Sequence, residues 1–209
     1  MTTASLLTLG RPTFDVEFGA ELASAAHRVL NEIGVTTIGD DTVLTVAADI
    51  AEAVERTRTQ TADVLIVIQA TFADASTVIS ISEASDTPIV VWSFPEARRG
   101  ARLRLNSLCG ANLAAYSLRR RQHRCAFVHT DPTATDAGDR VRTAIDDACR
   151  AVPSAPPNET ATPVLDPHVV RAAERIDERL HRNRIGVIGA PPSGFEPCGG
   201  DDDEIASAF

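Results

Sequence analysis

Residues Asp63–Ala75 read DVLIVIQATFADA, and this stretch decides the fold. Val64-Leu65-Ile66-Val67-Ile68 is apolar on consecutive positions and mostly β-branched. Such a run has no wet face, so it reads as a central strand covered on both sides. Polar and aromatic residues follow at once: Gln69, Thr71, Phe72 and Asp74. In open α/β sheets the residues just past the carboxyl end of a strand face the ligand crevice. Gln69 and Phe72 are therefore candidates for a hydrogen bond and a stacking face on a polyol. The same residues also suit a helix-capping loop, with Asp74 as N-cap and Phe72 in the core.

The elements alternate on either side of this strand. Ser5–Leu9 reads as a first strand that ends in the turn Gly10-Arg11-Pro12-Thr13. Val16–Ile33 carries apolar residues at helical spacing, with Gly34 placed to cap it. A short strand at Val35–Ile38 and a helix at Ala47–Arg58 precede the central strand. Ala75–Ser85 (helix), Pro88–Trp92 (strand), Ser107–Arg119 (helix), Ala126–His129 (strand) and Ala134–Ala151 (helix) come after it. Five strands separated by helices imply a doubly wound parallel α/β sheet, flavodoxin-like in order, 2-1-3-4-5. No GxGxxG follows the first strand, so a dinucleotide site has no support.

Composition changes after residue 152. Pro153–Pro163 (PSAPPNETATP) reads as a linker. Asp166-Pro167 then opens a helix, Arg184–Ile188 reads as a strand, and Gly189–Phe195 as a loop. The expected organisation is an N-terminal α/β domain over 1–152, a Pro-rich linker over 153–165, and the start of a second, incomplete α/β domain over 166–209.

At 44 % apolar and only 4 % aromatic, the core must be built from Ala, Val, Leu and Ile. The net charge of −9 argues against nucleic acid and anionic membranes. All 20 basic residues are Arg. The lack of Lys removes Schiff-base chemistry and the P-loop lysine. No signal peptide or membrane-length run is visible, which makes a cytoplasmic protein the expectation. Cys109, Cys125, Cys149 and Cys198 show no CxxC pairing and read as reduced thiols.

Other candidates lie at strand ends. Arg11 reads either as a bidentate clamp on hydroxyls or an anion, or as a solvated turn residue. Asn106 and Ser107 open a helix whose amides could face an oxyanion, or Asn106 caps it. Trp92 ends a strand on the ligand side and suits the core. The five histidines have no ligand-like neighbours, and Asp201-Asp202-Asp203-Glu204 reads as a solvated helix start. No acid/base pair is evident.

Four segments in order resemble one family: LTLGRPTFD (Leu7–Asp15), QATFADAS (Gln69–Ser76), NSLCG (Asn106–Gly110) and RIGVIGAPPSGFEPC (Arg184–Cys198). They look like the N-terminal part of L-fucose isomerase-like proteins, relatives of the L-fucose/L-arabinose ketol isomerases. The resemblance implies an aldose–ketose isomerase using a divalent metal, usually manganese, held by carboxylates and a histidine. A carboxylate there moves a proton between C1 and C2 through an ene-diol. In the family these groups lie downstream of the region matched, so the resemblance implies a chain that is not catalytic alone. It also implies that Arg11, Phe72, Gln69, Asn106 and Ser107 contact sugar, in a homo-oligomer or beside a complementary C-terminal subunit. A non-catalytic sugar-binding or subunit-interaction module is the alternative. A flavodoxin-like regulatory domain is disfavoured by the absence of a receiver's lysine and acidic cluster.

Overall fold

The computed structural model describes residues 2–39, 41–96, 102–150, 166–182 and 188–200, together with 203 and 205. Strands β1 (Thr2–Leu9), β2 (Val35–Ile38), β3 (Val64–Gln69), β4 (Ile89–Ser93) and β5 (Cys125–His129) alternate with helices. These are α1 (Val16–Glu32), α2 (Ala47–Thr59), α3 (Ser76–Ala84), α4 (Ser107–Arg120) and α5 (Ala137–Arg150). The strands form one parallel sheet in the order β2-β1-β3-β4-β5, as the sequence leads one to expect.

β3 lies at the centre, with Ile66 opposite Leu6 on one side and Val90 on the other. All six of its residues are buried. Alternate side chains serve two cores. Val64, Ile66 and Ile68 pack with Ala23 and Leu30 of α1 and Val141 and Ile145 of α5. Leu65 and Val67 pack with Val54 of α2, Val78 of α3 and Leu118 of α4. A strand buried on both faces needs the uninterrupted apolar run seen in the sequence.

Most element limits fall within a residue or two of expectation, and the larger shifts have local causes. β1 starts earlier, at Thr2, because β2 pairs with it from Thr2↔Val35 onward. α5 starts later, at Ala137, because the Asp131 carboxylate accepts the Thr133 N–H at 2.8 Å and its carbonyl accepts that of Ala134 at 3.0 Å, holding a turn first. Gly34 ends α1 with φ of +80°, where a side chain is disfavoured.

A sixth helix, α6 (Pro167–Leu180), starts as read, with Asp166 accepting the His168 N–H at 2.7 Å. The Pro-rich stretch, most of the expected Arg184–Ile188 strand and most of the acidic run lie outside the described residues. Ile188 itself belongs to no strand. Among the described residues no helix is long and apolar enough to cross a membrane, and all four cysteines are free.

Candidate functional site

β1 and β3 stay paired to their last residues, Leu9 and Gln69, and the chain leaves them for α1 and α3 on opposite faces of the sheet, the switch point where open α/β sheets form a crevice. A groove of about 550 Å³ begins there and runs between α2 and α3, lined by Gly10, Arg11, Thr45 and Asp74 at its head and by Glu55 and Thr77 along the helices, among others. Gly10 is required by close approach: a Cβ on it would stand 2.6 Å from the Val43 side chain. Arg11 follows immediately. Its backbone N–H donates to Thr71 Oγ1 at 2.8 Å, and its guanidinium donates to Asp74 Oδ2 at 2.7 Å. The same guanidinium lies 4.9 Å from the centre of the Phe72 ring. The Arg11 side chain stays 39 % exposed and lines the cleft. Asp74 is fixed in turn, its Oδ1 accepting the Ser76 N–H at 3.0 Å and the Ser76 hydroxyl.

Phe72 takes the core position. It is 6 % exposed, with Phe14 and Phe195 each 5.9 Å away. Gln69 is fully buried, and its Oε1 accepts the Ala73 N–H at 3.1 Å. Its Nε2 has no hydrogen-bond partner among the described residues. Ser107, also buried, donates to the Gln69 carbonyl and accepts the Phe94 N–H at 3.0 Å, tying the ends of β3 and β4 to the start of α4. Asn106 occupies the N-cap position of α4, but its side chain makes no capping hydrogen bond, so that alternative is not realised. It sits in the left-handed region at φ of 51°, and its backbone N–H donates to Glu96 Oε2 at 3.0 Å. Glu96 gathers the Arg104, Leu105 and Asn106 amides on one carboxylate and closes the β4–α4 loop.

The structure thus brings Arg11 to the cleft with Phe72 behind it. Gln69, Ser107 and Asn106 form the frame of the neighbouring loops. Sequence reasoning marked Arg11 and Asp74 separately but missed their pairing, whose only signal is that both follow the ends of what become adjacent strands. It also missed Glu96, and Asp15. The Asp15 carboxyl is held below the ordinary range first by the Phe18 amide that it caps and then by Arg104, 2.7 Å away. Arg104 also stacks on Phe18 at 3.9 Å. At the far end of the edge, Ser93 Oγ meets His129 Nδ1 at 2.9 Å. Burial first, then the Arg140 charge, pushes the His129 imidazole below its usual value. Trp92, fully buried, donates its ring N–H to the Thr130 carbonyl at 3.1 Å and meets Phe94 edge-on.

The donor set does not fit a manganese centre. Among the described residues no three of His, Cys, Asp or Glu converge. The carboxylates at this edge are already occupied, Asp74 by Arg11 and Ser76, Asp15 by Arg104 and Phe18, Glu96 by three amides.

Fold and edge together define a doubly wound α/β domain with a cation-bearing crevice at its switch point. Residues 5–153 match the fucose/sulfoquinovose isomerase N-terminal domain, and the chain belongs to that family. The sulfoquinovose isomerases of Priestia aryabhattai and Priestia megaterium are each 28 % identical to it over 208 residues. That of Alkalicoccus urumqiensis is 25 % identical over 209. The matches span 100 % of this chain and 41 % of each of those proteins, about two fifths of their length.

Proposed function

We propose that this chain is the sugar-facing α/β domain of a cytoplasmic aldose–ketose isomerase for a sugar of the fucose or sulfoquinovose kind. Its role is recognition. The metal and the proton-transferring carboxylates come from polypeptide beyond the region described, in the same protein or in an associated subunit. The observation that carries this reading is Arg11, half-exposed at the switch-point cleft with one donor committed to Asp74. Its remaining donors form a planar fork that suits a pair of sugar hydroxyls or the oxygens of a sulfonate. Phe72, buried beneath, supports the guanidinium rather than the sugar. Gln69, Asn106 and Ser107 act behind it, fixing the loops that shape the cleft.

The test is an NMR titration of the ¹⁵N-labelled chain with sulfoquinovose and with L-fucose. Shifts are expected at Gly10, Arg11, Thr45 and Asp74–Thr77. Arg11→Ala should weaken binding about tenfold or more, the loss of one charge-assisted contact. No shift at the cleft with either sugar at millimolar concentration would refute the reading. An isomerase assay with Mn²⁺ completes it: turnover abolished by a chelator would refute the assignment of recognition without catalysis.

A further inference from the structure

Gly194 and Phe195 are distant in sequence from the cleft, yet both reach the groups that hold Arg11. The Gly194 carbonyl accepts the Ala75 N–H at 3.0 Å, in the loop between β3 and α3. Gly194 is buried, with φ of +83°, and a Cβ built on it would stand 2.5 Å from Asp74 Oδ1. Glycine therefore answers both to the backbone conformation and to the approach of the carboxylate. Phe195 packs its ring on Phe72. The segment holds its own shape: the Phe195 N–H donates to the Pro192 carbonyl at 3.1 Å, and the Cys198 N–H to the Phe195 carbonyl at 2.9 Å.

A partly exposed ion pair and a cation over a ring are each weak, and an arginine side chain has many rotamers to lose. Neither Asp74 nor Phe72 aims Arg11 unless it is itself immobile. Asp74 has Ser76 on one side and Gly194 on the other. Phe72 is wedged between Phe14 and Phe195.

We propose that Gly194 and Phe195 are positioning residues for Arg11, acting through Asp74 and Phe72. The segment after α6 thereby sets the direction of the guanidinium in the cleft. The consequence for sugar binding rests on the reading of Arg11 given above; the positioning itself is measured without sugar.

The experiment compares the full 209-residue chain with Phe195→Ala and Gly194→Ala, ligand-free, by two readouts. The first is hydrogen exchange at the Ala75 amide. The second is the Arg11 side-chain N–H resonance, which the Phe72 ring, centred 4.9 Å from the guanidinium carbon, should displace. Both substitutions keep the carbonyl at position 194 but loosen the segment that carries it, so the Ala75 hydrogen bond should open more often and its amide exchange about tenfold faster. Both should also move the Arg11 resonance toward that of a free arginine. Should Gly194→Ala fail to fold, Phe195→Ala decides alone. An unmoved Arg11 resonance in Phe195→Ala overturns the proposal, whether or not Ala75 exchange changes, because the segment would then brace the loop without aiming the arginine. A sugar titration on the same samples separates the two ideas. If wild type binds no sugar while Arg11 moves in the variants, the functional reading fails and the positioning stands.

Discussion

Arg11 can be lost from the fold at little thermodynamic cost, because its ion pair is partly exposed and contributes about 0–1 kcal/mol. Its chemistry is harder to replace. Lysine would keep the charge but lose the planar fork and the flat face turned to Phe72. Arg11→Lys should therefore bind sugar no better than Arg11→Ala while unfolding like wild type; calorimetric titration beside urea denaturation checks this. Ser107 is the opposite case. Its hydroxyl serves two buried backbone groups, Phe94 N–H and the Gln69 carbonyl. Ser107→Ala leaves both without that partner and should cost about 1–3 kcal/mol, read as a lowered urea midpoint with unchanged slope.

At the scale of elements, the start of α1 depends on the ionised Asp15. A carboxyl whose folded pKa is depressed adds stability that is complete above its unfolded value, near 3.9, and disappears as the pH falls through the folded value. Wild type should therefore resist urea better than Asp15→Asn near neutrality, and the two should converge in acid. A difference that persists in acid would contradict the assignment. At the end of β5, the His129 imidazole should titrate below 6.5 by NMR, and Arg140→Gln should raise its midpoint by removing the second cause of the shift. The elements themselves were legible because their signals are local: β3 carries its burial in five consecutive apolar residues, and Asp166-Pro167 announces α6. The site was legible only as positions. That Arg11 and Asp74 follow strand ends can be read from the chain, but that those ends are neighbours is a fact of strand order. Glu96 reaching forward to the amides of residues 104–106, and Gly194 returning to Ala75, have no periodicity to betray them. Asn106 misled for a physical reason: asparagine suits both an N-cap and a left-handed backbone, and here Glu96 takes its amide.

For the whole molecule, the expected boundary between the N-terminal α/β domain and the C-terminal segment rests on the proline-rich composition of Pro153–Pro163. A nonspecific protease at low dose should release a piece close to 1–152 that retains the cooperative unfolding of the intact sheet. Cleavage first within β1–β5 would refute that boundary. The sheet's central column also equips the protein with an internal reporter. Trp92 is the chain's sole tryptophan and is fully buried on β4, opposite Ile68 of the central strand and in the core beneath α1 and α5. Its fluorescence should accordingly be blue-shifted and shielded from iodide. A red shift would mark the opening of β4 from Thr130, so the unfolding of this domain can be tracked optically with no label added.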